Sequence, residues 1–265
     1  MLIKKVGFKM KIIAIVIGRK GSTGFPDKNI YPIAGKPMVM HSIDAASECE
    51  YIDKVIVSTD DNRIADLVDN YENVKVSWRP IDLATNEALG EEVFRYEAMR
   101  HEADLFVLLF ANAPCINSRM IHAMLQRMKI YGTVDVNGKK EFDYDGICTV
   151  SKYNMFDPSR AWKIETINRD LNNPKYMIQL IKSDWVSEEN ISCDRSRGIS
   201  SWFYDCSCAI VTSNAVKNLT GPPPQRWLGR KIYPYIQKYP AIDVDYEWQV
   251  PQVEWWHKMM LKEEG

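Results

Sequence analysis

The chain has 265 residues, 46% hydrophobic and 26% charged, which suits one large domain with a full core and is too apolar for disorder. Its 34 basic and 35 acidic residues leave a net charge of −1, which argues against a dedicated nucleic-acid binder. No stretch reaches the roughly 18 continuous apolar residues of a membrane span, and six scattered cysteines without a CxxC pair exclude a disulfide scaffold.

In chain order, residues 1–9 read as an N-terminal extension. They carry Lys4, Lys5 and Lys9 and lack the long apolar core and cleavage site of a signal peptide. Residues 10–265 are then a single domain, expected to be cytoplasmic with reduced thiols. Lys11–Ile17 is a nearly continuous β-branched run, the pattern of a parallel strand covered on both faces. A Gly- and Pro-rich loop from Gly18 to Pro37 follows, and Met38–Glu48 has helical spacing. Lys54–Ser58 is a second strand, Asp61 ends a cap for a helix over 62–71, and Val74–Ser77 is a short third strand. Glu91–His101 is a helix, Leu105–Phe110 a buried strand, Ser118 the cap of a helix over 119–130, and Gly146–Ser151 another strand.

Residues of about 153–200 have weak periodicity and read as an inserted subdomain, a dimerisation arm or a lid. Trp202–Thr212 returns to strand character, with Cys206, Ser207 and Cys208 as small residues within it. Lys231–Ile236 and Ala241–Val244 are two late strands, the first restricted to a sheet edge by Pro234. Tyr246–Leu261 is a Trp-rich helix whose start Pro251 either marks or breaks. This alternation predicts an α/β fold with a mainly parallel sheet flanked by helices.

Two features carry chemistry. The first strand runs into Gly18-Arg19-Lys20-Gly21-Ser22-Thr23-Gly24, followed by Lys28 and Asn29. A Gly-rich loop beyond the carboxyl end of a strand turns backbone N–H groups toward phosphate oxygens. Arg19, Lys20 and Lys28 supply positive charge, with an exposed basic loop as the alternative. Near the other end stand Asp243 and Asp245. If 241–244 is a strand, both carboxylates share one face, roughly 7 Å apart, and suit a Mg2+ ion bridging to substrate phosphates, with solvated strand carboxylates as the alternative. Together these are the parts needed for nucleotidyl transfer. Lys152, Arg230 and Lys231 are further cationic candidates, each with an ordinary surface role as the alternative.

The ordered set Arg19, Gly21, Ser22, Lys28, Asn29, then Pro32-Ile33-Ala34-Gly35-Lys36-Pro37, Val57-Ser58-Thr59-Asp60-Asp61, Arg79-Pro80, Leu83-Ala84-Thr85 and Ile242-Asp243-Val244-Asp245 resembles the acylneuraminate cytidylyltransferases, the CMP-sialic acid synthetases. The resemblance is dense from residue 11 to about 90 and returns at about 200–250. It implies a Rossmann-like nucleotidyltransferase fold, usually a homodimer with a protruding element across the interface. It implies Mg2+-dependent transfer of CMP from CTP to an acidic, sialic-acid-like sugar, releasing pyrophosphate. By motif, Arg19, Gly21, Ser22, Lys28, Asn29, Arg79, Ala84 and Thr85 would surround the nucleotide, with Lys28 and Arg19 the catalytic cations. Asp243 and Asp245 would hold the metal. The family's sugar-binding Gln is Phe110 here, within Leu108-Leu109-Phe110-Ala111-Asn112, and its N-G-A-I segment becomes Ser207-Cys208-Ala209-Ile210. Phe110, Asn112, Arg195 and Arg197 are the acceptor-side candidates. The Phe110 change keeps open a Kdo-like or phosphonate acceptor, or a silent nucleotide-binding relative. No nucleic-acid or membrane partner is expected.

Overall fold

The structure is a computed structural model and describes residues 10–85, 87–130, 132–134, 140–153, 162–166, 174–179 and 201–264. In chain order it forms β1 (Ile12–Ile17), the short strands β2 (Pro32–Ile33) and β3 (Lys36–Pro37), α1 (Met38–Ser47), β4 (Lys54–Thr59), α2 (Asn62–Asp66), β5 (Val74–Trp78), α3 (Gly90–Met99), β6 (Leu105–Phe110) and α4 (Ser118–Ile130). There follow β7 (Gly132–Val134), β8 (Lys140–Phe142), β9 (Gly146–Ser151), β10 (Trp162–Thr166), β11 (Pro174–Gln179), β12 (Phe203–Thr212), α5 (Ser213–Asn218), β13 (Ile232–Ile236) and α6 (Val250–Glu264).

Seven strands form the central sheet in the order β13-β9-β12-β6-β1-β4-β5. β1 pairs in parallel with both β4 and β6, and β4 with β5, as the β-branched runs predict. β12 runs antiparallel to β6. β9 follows the direction of β6, because the Thr212 amide donates to the Asp145 carbonyl while the Cys208 amide donates to the Thr149 hydroxyl. The edge placement of β13 agrees with Pro234, which has no amide to donate.

The sheet is covered on both faces. Ile12, Ala14 and Val16 share one hydrophobic cluster with residues of α1, α4 and α6, such as Met38, Ile43, Leu125 and Val253. The alternating residues Ile13 and Ile15 are equally buried and face the opposite layer, where Phe94 of α3 meets Phe106 edge-on. Each fully buried Ile or Val contributes about 1.5–3 kcal/mol relative to exposure, so this uninterrupted run holds β1 inside the sheet, away from its edges.

The chain divides into two compact units. One comprises the residues up to Thr149 together with those from Asp205 onward; the other is Val150–Tyr204. In the second unit β10 and β11 pair antiparallel, with an irregularity between Glu165 and Thr166. Residues 1–9 lie outside the described residues.

Three expectations need correction. Helix α2 stops at Asp66, because the Val68 and Tyr71 amides bond back three residues, to Ala65 and Val68, and tighten the chain into turns. The cap of α4 is Asn117, whose side chain accepts from the Met120 amide, while the Ser118 hydroxyl donates to Glu48. Ala241–Val244 is not a strand. Pro240 has no amide, the Val244 amide donates to the Asn112 carbonyl at 2.7 Å, and the Asp245 amide goes to the Gln249 side chain at 2.7 Å. With its donors spent on a loop and a side chain, the segment joins no ladder, and the shared-face argument for Asp243 and Asp245 lapses.

Helix α6 places its Trp residues unequally. Trp256 is buried and Trp255 exposed; Trp248, in the turn just before the helix, is exposed too. His257 stacks on His41 with ring centroids 4.2 Å apart, and His41 Nε2 contacts the Ile33 carbonyl at 2.9 Å. Burial, the neighbouring His41 and Lys36 push the His257 imidazole down to about 3, and His41 is lowered too, chiefly by burial. The unfolded chain therefore takes up protons near pH 6.5 that the folded chain refuses. His257 is then neutral in the fold, and stability is lost progressively as pH falls from about 6.5 toward 3. The melting temperature of the wild type is expected to drop more between pH 7.5 and 5 than that of His257→Phe. Equal drops in the two proteins, read by circular dichroism, would sink this assignment.

Candidate functional site

A cavity of about 330 Å³ opens beyond the carboxyl ends of β1 and β6. Its lining includes Gly18, Arg19, Ser22, Lys28, Asn29, Arg79, Phe110, Asn112 and Asp245. This is where an open parallel sheet places ligands. Most of the sequence-predicted residues, from four distant parts of the chain, thus meet in one space.

The Gly-rich loop is held by its neighbours. The Gly18 amide donates to the Ser58 carbonyl at 3.1 Å, and the Lys20 amide to Asp60 at 2.7 Å. Gly21 has φ of +75°, a backbone that favours glycine, and Arg19 Nη1 reaches the Gly21 carbonyl at 3.4 Å. Asn29 is buried and donates to the Arg19 carbonyl at 2.9 Å, so it braces the loop from within. At Gly24 an added Cβ would lie 2.8 Å from the Asp245 carbonyl oxygen.

The Ser-Thr-Asp-Asp segment anchors the far end of this loop. Asp61 accepts from the Arg63 amide at 3.0 Å and caps α2, and its carboxylate pairs with the Arg63 guanidinium at 2.7 Å. The same guanidinium reaches Asp27 at 2.7 Å, one residue before Lys28. Hydrogen bonding to Arg63 holds the Asp27 and Asp61 carboxyls below the usual range, although burial opposes it. Only the Asp61 pairing is sheltered; Asp27 is mostly exposed, and its ion pair is screened by solvent.

Lys28 Nζ lies 2.5 Å from Asp245 Oδ1, with the lysine largely covered and the aspartate half exposed. Asn112 Nδ2 donates to the Val244 carbonyl at 3.2 Å and reaches Asp245 Oδ1 at 3.3 Å. Asp243 does not line the cavity and is partly buried. Its carboxyl is raised above the ordinary value, first by burial and then by the charge of Asp245, with Lys28 opposing. Burial and the charges of Asp243, Asp205 and Asp245 together push the Cys206 thiol far up. Asp205 is spoken for by the Thr149 hydroxyl at 2.6 Å and the Ser207 amide at 3.1 Å. Asp243 and Asp245 are the two that a hard cation bridging to phosphate oxygens could use, and oxygen-only donors with surplus negative charge fit magnesium. Among the described residues, no group of three or more His, Cys, Asp or Glu side chains is placed to hold a metal ion.

Phe110 forms part of the cavity wall, and an added Cβ on Gly90, at the start of α3, would stand 3.2 Å from its ring. Ala84 ends a short 3-10 turn, Thr85 accepts from the Ala88 amide at 3.3 Å, and neither lines the cavity. Arg195 and Arg197 lie outside the described residues. Arg230 and Lys231 are placed at the opposite edge of the sheet, where both amides donate to Asp145. The left-handed backbone of the β12 segment is at Cys206, with φ of 62°. The position suited to glycine is thus two residues earlier than the N-G-A-I resemblance placed it.

Sequence reasoning missed Glu97. It is fully buried, accepts from the Ser58 hydroxyl at 2.9 Å and from the Ser77 hydroxyl at 3.1 Å, and shares Ser58 with Arg79. The signal was present: a glutamate four residues after Val93, on the apolar face of α3.

Comparison with known proteins agrees with this geometry. Residues 13–156 match the cytidylyltransferase family. The chain is 32% identical over 117 residues to a 3-deoxy-manno-octulosonate cytidylyltransferase of Trichlorobacter lovleyi, covering 44% of each chain. It is 35% identical over 136 residues to an N-acylneuraminate cytidylyltransferase of Streptococcus agalactiae, covering 50% of this chain and 32% of that one. It is 32% identical over 129 residues to a CMP-N,N'-diacetyllegionaminic acid synthase of Legionella pneumophila, covering 46% and 55%. The matched stretch thus spans about a third to a half of these curated relatives. Among solved structures, a CMP:2-keto-3-deoxy-manno-octonic acid synthetase complexed with CTP superposes with a TM-score of 0.63 at 19% identity, covering 96% of this chain and 99% of the other. A 4-diphosphocytidyl-2C-methyl-D-erythritol synthase of Anaerococcus prevotii gives 0.59 at 10% identity, covering 94% and 97%. These two likenesses establish a nucleotidyltransferase-like fold. With more than half of its length matched to the family, and the Gly-rich loop inside that match lining the cavity, the chain belongs to the cytidylyltransferase family.

Proposed function

We propose that this protein transfers CMP from CTP to an acidic sugar of the nonulosonate or octulosonate class and releases pyrophosphate. The observation that carries the reading is the meeting of the Gly-rich loop, Arg79, Lys28 and Asp245 in one cavity at the carboxyl edge of the sheet. The loop amides, Arg19 and Lys28 would receive the triphosphate, whose negative charge the site is built to offset. The sugar hydroxyl would attack the α-phosphorus, and pyrophosphate would leave. Because phosphoryl chemistry of this kind needs mainly alignment and charge stabilisation, no covalent enzyme intermediate is required. Magnesium, held by Asp243 and Asp245 when bound, would neutralise phosphate charge. Lys28 stands against Asp245 and would keep that carboxylate aligned while contributing its own charge.

Relatives named for both Kdo-type and sialic-acid-type activities match the chain over similar lengths, so the acceptor is the open variable. Phe110 gives the cavity an apolar wall where the resembled family has an amide. A site built to hydrogen-bond a substrate discriminates strongly, so this exchange should shift acceptor choice. The test is pyrophosphate release with each of the four NTPs, magnesium and a panel of 3-deoxy-octulosonate, nonulosonates and phosphonates. Release with CTP and one acidic sugar is expected. CTP that binds without release under any acceptor would favour a silent relative.

A further inference from the structure

We propose that Glu97 is a positioning residue for the nucleotide pocket, acting on Arg79 through the hydroxyl of Ser58 and resting on the CTP reading of the cavity. Glu97 lies within α3 with no exposed surface. The Ser58 hydroxyl donates to its Oε1 at 2.9 Å. That hydroxyl has one proton, so its lone pairs are left for Arg79 Nε, which approaches to 3.4 Å. The Ser58 carbonyl accepts from Arg79 Nε at 3.2 Å and from Nη2 at 2.9 Å. One edge of the guanidinium is thereby pinned to the end of β4. Nη1 has no hydrogen-bond partner among the described residues, and Arg79 lines the cavity. The arrangement leaves the Nη1 edge of a planar fork available to an anion.

A buried guanidinium is costly, and burial pushes Arg79 down to about 10 while the charges of Asp60 and Glu97 hold it up. Glu97 is the buried member of that pair. Its second oxygen accepts from the Ser77 hydroxyl at 3.1 Å, and the half-exposed Arg100 stands 3.6 Å away. A glutamine would offer one acceptor oxygen and one NH2 donor to two serines that both donate, and would supply no charge. A carboxylate on the apolar face of α3, joined to Arg79 by the Ser58 hydroxyl, is therefore placed as the counter-charge that keeps Arg79 aimed.

The test measures CTP affinity by calorimetry, without acceptor, in the wild type, Glu97→Gln, Arg79→Lys and the double variant. Glu97→Gln is expected to bind CTP about tenfold more weakly. In the Arg79→Lys background, the same change is expected to add no further loss. Unchanged affinity in Glu97→Gln, or an equal loss in both backgrounds, overturns the relay and leaves Glu97 a structural residue. If Glu97→Gln does not fold, Ser58→Ala decides, since it breaks the relay with both charges in place: weakened binding supports it and wild-type affinity overturns it. Absence of CTP binding by the wild type rejects the nucleotide reading of the cavity instead.

Discussion

Asp245→Asn is expected to reduce CTP-dependent pyrophosphate release by roughly 10²–10³-fold while the protein melts at or slightly above the wild-type temperature. The two halves of this outcome have separate causes. Asp245 is half exposed, and its ion pair with Lys28 is solvent-screened, so losing it costs the fold at most about 1 kcal/mol. Against that, Asp245 raises the carboxyl of Asp243, whose own burial already disfavours its charge. A carboxyl whose folded pKa lies above its unfolded value is protonated more readily in the fold. Its contribution becomes unfavourable as pH rises past the ordinary carboxylate range, so at neutral pH the pair is a strain on the fold. Removing one charge relieves the other. Activity behaves differently, because Asp245 lines the cavity opposite the Gly-rich loop, where the proposed reaction needs a carboxylate beside the phosphates. Release that stays within a fewfold of wild type, at saturating CTP and magnesium, would remove Asp245 from the reaction.

How much of this was legible beforehand depends on the range of the forces involved. The strand Ile12–Ile17 and the strand Leu105–Phe110 were readable because continuous β-branched and apolar runs admit few other fates. The Gly-rich loop was readable for the same reason: its chemistry is contained in one short segment. The Ala34-Gly35 turn between β2 and β3, with φ of 45° and 88°, the positive pair of a tight hairpin, was absorbed into the 18–37 loop and not read.

The acidic segment was misread because its conformation is decided elsewhere. Asn112 and Gln249 take the amides of Val244 and Asp245, and neither partner is visible from the sequence of 241–245. The pairing of Asp243 with Asp245 survived as a proximity of charges but not as a strand face. Asp61 was read as a cap, and it is one; its second task, gripping Arg63 so that Arg63 can hold Asp27, needed three dimensions. Lys28 lies in the cavity as the loop reading expected, while Ala84 and Thr85, carried over by motif alone, fall outside it.

Gly24→Ala is expected to lower the rate of CTP-dependent pyrophosphate release by about 10²-fold, although it adds a single methyl group to an exposed loop. Gly24 does not have the left-handed backbone that marks Gly21; its constraint is space. The new Cβ would lie 2.8 Å from the Asp245 carbonyl oxygen and 3.3 Å from the Tyr246 ring. A backbone oxygen cannot rotate aside as a side chain can, so either the loop or the 245–246 segment must move. Both carry groups that the proposed reaction uses: Lys28 comes from the loop, and Asp245 is the very residue displaced. Their 2.5 Å contact would lengthen, and misplacement on the scale of an ångström is enough for the stated loss. Stability should change little, since alanine also lowers the conformational entropy of the unfolded chain, an effect worth about 0.4–1 kcal/mol. Gly21→Ala is the control. There a Cβ meets nothing within 4 Å, but φ is +75°, so the cost of about 1–2 kcal/mol falls on the local backbone. The two variants should therefore part company, Gly24→Ala losing turnover with its melting temperature intact and Gly21→Ala losing stability first. Equal turnover in Gly24→Ala and wild type would mean that the loop and the acidic segment need not touch for the reaction to proceed.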